Sequence, residues 1–428
     1  MFSLVLSTVL ILPLIGIWQM ESGAIGLNIV DAGHPNGATA AYLAHLFAFV
    51  ATFSFASIAL RTSGRIAKGY AIGKPILYRR STFRALASSV LAINLLVIGM
   101  LLLFTGAADV ITGSMNKGEF RSQLGPFGVI AFLSRDFIIP MLCALVAFVY
   151  RDTAPTAYDK LLLWTNLCVT AFGGAIWGGK ATAILKVVPA LLVLKPTIPI
   201  LPLAAFPLLA IVSAVLLGTV FDGKDLEGAF VLVLARATVG EGDTAWKIWD
   251  LHENSEELPA YWPTLLSALG GRAASVFGIF ARGTGDWSWY EYDFSALVSL
   301  VVKNYEPTLE VMTSNVTATV FGEGVIAFGS PGYLIMSILA GVVVALSRHM
   351  LDRAQQQRKP LLGIFAANFF GFSVVAWLDS GGITTLINLP HVVSYILVIV
   401  GANLLLSASD FRRDRHLGLK SQFQPSKI

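Results

Sequence analysis

The sequence predicts an all-α polytopic membrane protein, with about ten transmembrane helices and one large hydrophilic loop. Three observations carry this. Hydrophobic residues make up 55% of the chain, charged residues only 13%, and the mean hydropathy is +0.72; a soluble core needs more polar surface than that to cover it. Apolar runs of spanning length recur along the whole chain, unbroken and not alternating, which favours helices over a β-barrel because a helix satisfies its own backbone in lipid. The basic residues gather in the segments between alternate runs.

The expected spans are roughly 2–19, 38–60, 85–106, 127–150, 161–177, 181–194, 198–217, 331–347, 361–378 and 389–407. The first run lacks a basic leader region and a small-residue cleavage site, so it reads as a retained span and not a signal peptide. The segments on either side of Lys180 are short for a crossing and admit a broken or re-entrant pair. With the N-terminus in the cytoplasm, the inside segments hold 19 of the 30 basic residues, while the short outside segments 20–37 and 379–388 hold none. The positive-inside rule therefore expects both termini in the cytoplasm.

That orientation divides the chain into an N-terminal bundle (1–217), a long outer loop (218–330), and a C-terminal part with a basic tail (331–428). The loop carries 15 of the 26 acids and five of the nine tryptophans, among them Trp246, Trp249 and Trp287. Its aromatic content argues against disorder, and the patches 226–239 and 260–281 suit helices lying at the interface. Cys143 and Cys168 both fall within apolar runs without metal or redox spacing, so they read as small hydrophobes.

The candidate chemistry lies on the outer side. Arg135, Lys180, Arg236, Arg272 and Arg282 stand in nearly apolar or small-residue settings such as "AFLSRDFIIP", "IWGGKATAIL" and "ALGGRAAS". Cations at a membrane boundary are costly unless they snorkel or meet an anion, and several together fit a phosphate or diphosphate. The bland alternatives are an Arg135–Asp136 ion pair, a loop lysine, and anchoring to headgroups. Lys186 lies inside an apolar run, so within a span it faces protein or water. Glu241 and Asp243 in "VGEGDTAW" read as a base, a metal ligand or a solvated turn. His252 is the one histidine of the loop. Glu323 in "FGEGVIAFGSPG" stands just before a span, either holding an arginine or facing a substrate, and its glycines allow close backbone packing. No metal motif appears, and neither a cofactor nor a nucleic-acid partner is expected.

Four stretches in order, "LSRDFIIPMLCALVAFVYRD", "GGKATAILKVVPALLVL", "LVLARATVGEGDTAWKIWD" and "TATVFGEGVIAFGSPGYLIMSILAGVVV", resemble the bacterial O-antigen and enterobacterial common antigen (Wzy-type) oligosaccharide repeat-unit polymerases over about residues 120–350. Lys180 stands where that family usually has arginine. The resemblance implies a glycosyltransferase of the GT-C type in the bacterial inner membrane. It would join undecaprenyl-diphosphate-linked oligosaccharides at the periplasmic face, amid membrane lipids and with a chain-length regulator as partner. In that scheme Arg135, Lys180 and Arg236, with Arg282 or Arg272, bind the diphosphates. Glu323, Glu241 or Asp243 takes the acceptor proton. The alternatives are an O-antigen ligase, which passes the chain to lipid A core, a lipid-linked oligosaccharide flippase or sugar-anion carrier, and a structural envelope protein.

Overall fold

A chain this apolar can satisfy its backbone in lipid only by folding into helices, and the computed structural model is almost entirely helical, with no β-strand among the described residues. Those residues are 2–67, 78–111, 130–131, 133–153, 155–176, 180–194, 215, 219, 225–254, 258, 294–303, 316, 318–387 and 392–402. The longer helices are α1 (Phe2–Glu21), α2 (Ala38–Ala67), α3 (Arg80–Phe104), α4 (Ile139–Arg151), α5 (Ala157–Ile176), α6 (Lys180–Leu194), α7 (Leu226–Ala237), α8 (Val239–Glu253), α9 (Phe294–Lys303), α10 (Thr319–Phe328) and α11 (Gly332–Gln356). They are followed by α12 (Pro360–Asn368), α13 (Val375–Ser380) and α14 (392–402).

Among the described residues, five segments are long and apolar enough to cross a membrane: Ala38–Thr62, Arg80–Phe104, Gly332–Gln356, Pro360–Ser380 and Ile383–Ala402. The described residues of the expected spans 2–19, 127–150, 161–177 and 181–194 also fall on helices, whereas 198–217 lies almost wholly outside the described residues. One end of the bundle is basic, carrying Arg80, Arg84, Arg151, Arg353 and Lys359. The other, here the acidic end, is where α1 finishes, α11 begins and α13 finishes. At the basic end Asp159 is clasped by Arg84 Nε at 2.6 Å and by the Thr156 N–H at 2.8 Å, joining α3 to the first turn of α5. The Arg84 hydrogen bond holds its carboxyl below the usual carboxylate range.

Small residues decide where backbones touch. In α2 and α11, which run side by side, a Cβ added at Gly341 would press on the Phe49 carbonyl. Such small-residue seams are how helices approach in lipid, where no hydrophobic force drives them together. His45 and Ser337 meet in this seam at 2.6 Å, both buried. Lipid-facing positions carry Phe47, Phe55 and Ile58 on α2 and Leu96 and Leu103 on α3, all strongly exposed.

The long segment 218–330 is not a bare loop. It contains α7 to α10, and α7 covers most of the patch expected at 226–239; the patch at 260–281 lies outside the described residues. Asp225 caps α7 by accepting the Gly228 N–H at 3.1 Å. Gly16 and Gly242 bring α1 and α8 into direct backbone contact, since a Cβ on either would collide with the other helix. Gly324 and Gly332 do the same between α10 and α11, turning them into a hairpin with Gly329 at φ +69°. This close packing is what the glycines around Glu323 permit. With about 15 Å of length, α10 is too short to cross. It begins beside Ser380, whose carbonyl accepts the Ala318 N–H, so it stands at the acidic end, against the last turns of α13.

Candidate functional site

Three helices lose their regularity at one place in the bundle. Residues Ser134–Ile138 form a π-helical turn, in which the Ile139 N–H reaches back to the Ser134 carbonyl. Residues Phe369–Val374 form a second, between α12 and α13. Pro189 interrupts α6, and its ring lies against Gly371 of the second π turn, where a Cβ would sit 3.1 Å from Cγ. Phe137 and Phe372, one from each π turn, meet edge to face at 6.0 Å. Single π turns inside α-helices recur at functional sites.

Three charges gather here. Arg135 is 2% exposed and its Nη2 donates to Asp136 Oδ1. Lys186 Nζ lies 3.1 Å from the same carboxylate oxygen and donates to the Asp136 backbone carbonyl at 3.1 Å. That second bond has a sequence cause. Residue 140 is proline, so no N–H four residues on can serve the Asp136 carbonyl, and the lysine takes its place. The ammonium also lies 5.0 Å from the centroid of Phe372 and 5.6 Å from that of Phe137, a cation between two ring faces. Asp136 is fifteen residues from Arg151 at the basic end, about 22 Å of helix. The cluster is therefore buried among the helices, toward the end of the bundle away from Arg151.

Two cations converging on one carboxylate cost several kcal/mol per ion in desolvation. Such groups within spans are rare and mark substrate or ion paths. Arg135 does form the ion pair considered from the sequence, and the pair is buried within the bundle. Lys186 faces protein, and it belongs with Arg135 more closely than any other cation among the described residues. Lys180 begins α6 six residues earlier, about 9 Å up the same helix; its side chain lies outside the described residues.

The other expected site residues separate. Arg236 is exposed near the end of α7. Arg272 and Arg282 lie outside the described residues, as does the side chain of Glu241 on α8. Asp243 is fully buried and its carboxylate is occupied. Oδ2 accepts the N–H groups of Leu27 and Asn28, both at 2.7 Å, and Oδ1 accepts Asn28 Nδ2 at 2.9 Å and the Thr244 N–H at 2.6 Å. Along the same helix Asp250 meets His34 at 2.8 Å, Lys247 meets Asp31 at 2.7 Å, and Trp246 and Trp249 donate their indole N–H groups to the carbonyls of His34 and Asn36. The motif "GDTAWKIWD" thus fastens the 22–37 segment onto α8. In this arrangement Asp243 has no oxygen directed at a substrate. His252 follows on the same helix, its ring 6.1 Å from that of Trp249.

Glu323 is 1% exposed. No arginine pairs with it among the described residues. Its Oε2 accepts Trp377 Nε1 at 2.8 Å and its Oε1 accepts the Ile383 N–H at 2.6 Å. Burial pushes its carboxyl up to about 7, against the lowering effect of the Ile383, Trp377 and Gly382 N–H groups. A carboxyl poised there is suited to proton transfer near neutral pH. Trp377 is five residues beyond Phe372 on the same continuous segment, so the acid and the cation cluster are held by one element. No group of three or more His, Cys, Asp or Glu that could hold a metal occurs among the described residues.

Sequence reasoning had all three cluster residues in view, Arg135 as a substrate ligand, Asp136 as its ion-pair partner and Lys186 as a charge inside a run. It missed Asp136 as the hub of both cations and Trp377 as the partner of Glu323. Pro140 four residues after Asp136 was the available signal for the first. Comparison with family models, curated proteins and solved structures finds no match for this chain.

Proposed function

We propose that this protein is a polysaccharide polymerase, a GT-C-type glycosyltransferase that joins undecaprenyl-diphosphate-linked oligosaccharide repeat units at the periplasmic face of the bacterial inner membrane. The observation that carries the reading is the Arg135–Asp136–Lys186 cluster, buried where three helices break. Transfer of the growing chain releases a lipid diphosphate, and preorganised cations stabilise the charge that develops on it. In this reading Lys186 and Arg135 serve that charge from inside the bundle, with Asp136 fixing their positions. Lys180 lies toward the acidic end of the same helix, which corresponds to the periplasmic side. Glu323 takes the proton of the acceptor hydroxyl.

A second reading is favoured by the same breaks. Discontinuous helices around intramembrane charge also suit a carrier or flippase for a lipid-linked sugar or sugar anion. One experiment separates them: deletion of the gene in its host, followed by gel analysis of the surface polysaccharide. Chains of a single repeat unit support polymerisation. Polymer accumulating on the carrier lipid and missing from lipid A indicates a ligase. Repeat units trapped on the cytoplasmic side indicate a flippase.

A further inference from the structure

The basic end of the bundle carries a second ordered group of charges, apart from the cation cluster. Segments 78–84 and 155–161 hold Arg79, Arg80, Arg84 and Lys160 against a single acid, Asp159. Asp159 is fully buried. It closes a capping box at the start of α5: its Oδ2 accepts the Thr156 N–H at 2.8 Å, and its own N–H donates to Thr156 Oγ1 at 3.3 Å. Two arginines of α3, one turn apart, turn Nε toward the same carboxylate, Arg84 at 2.6 Å and Arg80 at 3.4 Å. Arg84 also donates from Nη2 to Thr156 Oγ1 at 3.3 Å, and its guanidinium lies 5.1 Å from the centroid of the Tyr158 ring.

These two arginines are anchored and yet nearly half exposed, at 47% for Arg80 and 42% for Arg84. Arg80 opens α3, a helix long and apolar enough to cross a membrane, so both stand at the depth where headgroups meet hydrocarbon. The neighbouring side chains on α5 face outward. Tyr158, Leu161 and Trp164 are each more than half exposed and, spaced three apart, share one side of the helix. A bilayer covers such a surface, with the tyrosine at headgroup level. A guanidinium at that depth is costly unless it snorkels to water or meets an anion. Anchoring on a buried carboxylate restrains snorkelling, which leaves the anion. Basic pockets between spans take anionic lipid headgroups, and guanidinium suits phosphate oxygens in pairs.

We propose that Arg80 and Arg84, held on Asp159, bind the phosphate of an anionic phospholipid whose acyl chains lie along Leu161 and Trp164 of α5. The capping box gives the site its order. The first turn of α5 fixes the carboxylate, and the carboxylate fixes Nε of each arginine, so little freedom is lost when a headgroup arrives. The balance of cations over the one acid in these two segments selects a net anionic lipid over a zwitterionic one with the same phosphate. Arg353 of α11 and Lys359, just before α12, are exposed at the same end, but neither pairs with a buried acid among the described residues. The site is independent of the polymerase reading, which concerns the opposite end of the bundle.

The test places the full chain in nanodiscs of equal parts phosphatidylglycerol and phosphatidylcholine and releases it into native mass spectrometry. The readout is the ratio of the two lipids retained on the protein. The parent is expected to retain phosphatidylglycerol in preference. Arg80→Gln is expected to lower that preference about fivefold, whereas Arg80→Lys, which keeps the charge, holds most of it. Arg353→Gln makes the same charge change at the same end and is expected to leave the preference unaltered. Arg84 stays on Asp159 in every variant, so melting temperatures in phosphatidylcholine alone are expected to match the parent, which separates loss of the site from loss of the fold. Equal retention of both lipids by the parent overturns the proposal. So does an equal fall with Arg80→Gln and Arg353→Gln, the mark of diffuse surface charge only.

Discussion

At the scale of single residues, the arrangement around Asp136 makes opposite demands on its partners. Asp136→Asn leaves two buried cations without their shared counter-charge, and a stability loss of about 3–5 kcal/mol is expected, read as a lowered melting temperature in detergent. Removing a cation instead leaves a balanced pair. Asp243 makes a contrasting case, since its carboxylate serves the 22–37 segment. Asp243→Ala orphans the Leu27 and Asn28 N–H groups and is expected to speed hydrogen exchange across 22–37 at least tenfold while the cation cluster keeps its protection. These residue roles show what the sequence did and did not disclose. Lys186 stood out because a lysine in an apolar run is costly. The bond between Lys186 and Asp136 joins residues fifty positions apart, and that between Glu323 and Trp377 joins residues fifty-four apart. No local pattern encodes either one.

At the scale of elements, the apolar runs announced most helices, because length and hydropathy suffice for a segment that must bury its backbone in lipid. The π turns left no such trace. One extra residue per turn does not alter an apolar run, so 127–150 and 361–378 read as ordinary spans. The hairpin of α10 and α11 was more legible, because glycines at 324 and 332 are a signature of close backbone approach. Gly332→Val is expected to separate the two helices and to lower the melting temperature sharply, whereas Gly99→Val, at a position open on all sides, is expected to leave it nearly unchanged. Pro140→Ala tests the break in the helix at 134–139. It returns an N–H that can compete with Lys186 for the Asp136 carbonyl, and loosened Lys186 protection with a nearly unaltered melting temperature is the expected outcome.

At the scale of the whole molecule, charge and hydropathy lead to the same plan: a bundle with a basic end, and an acid- and tryptophan-rich assembly over the other. The sequence resemblance supplied the polymerase reading, and the buried cluster gives that reading a place for charge to be stabilised. The most direct measurement is complementation of the deletion strain with Lys186→Met. Methionine keeps the length and bulk of lysine without its charge; the substitution removes a buried ion but also takes the lysine's hydrogen bond from the Asp136 carbonyl, and the two effects oppose. The account predicts a folded protein present at parental abundance in cells whose surface polysaccharide is arrested at a single repeat unit. A full-length polysaccharide ladder from that strain would contradict it.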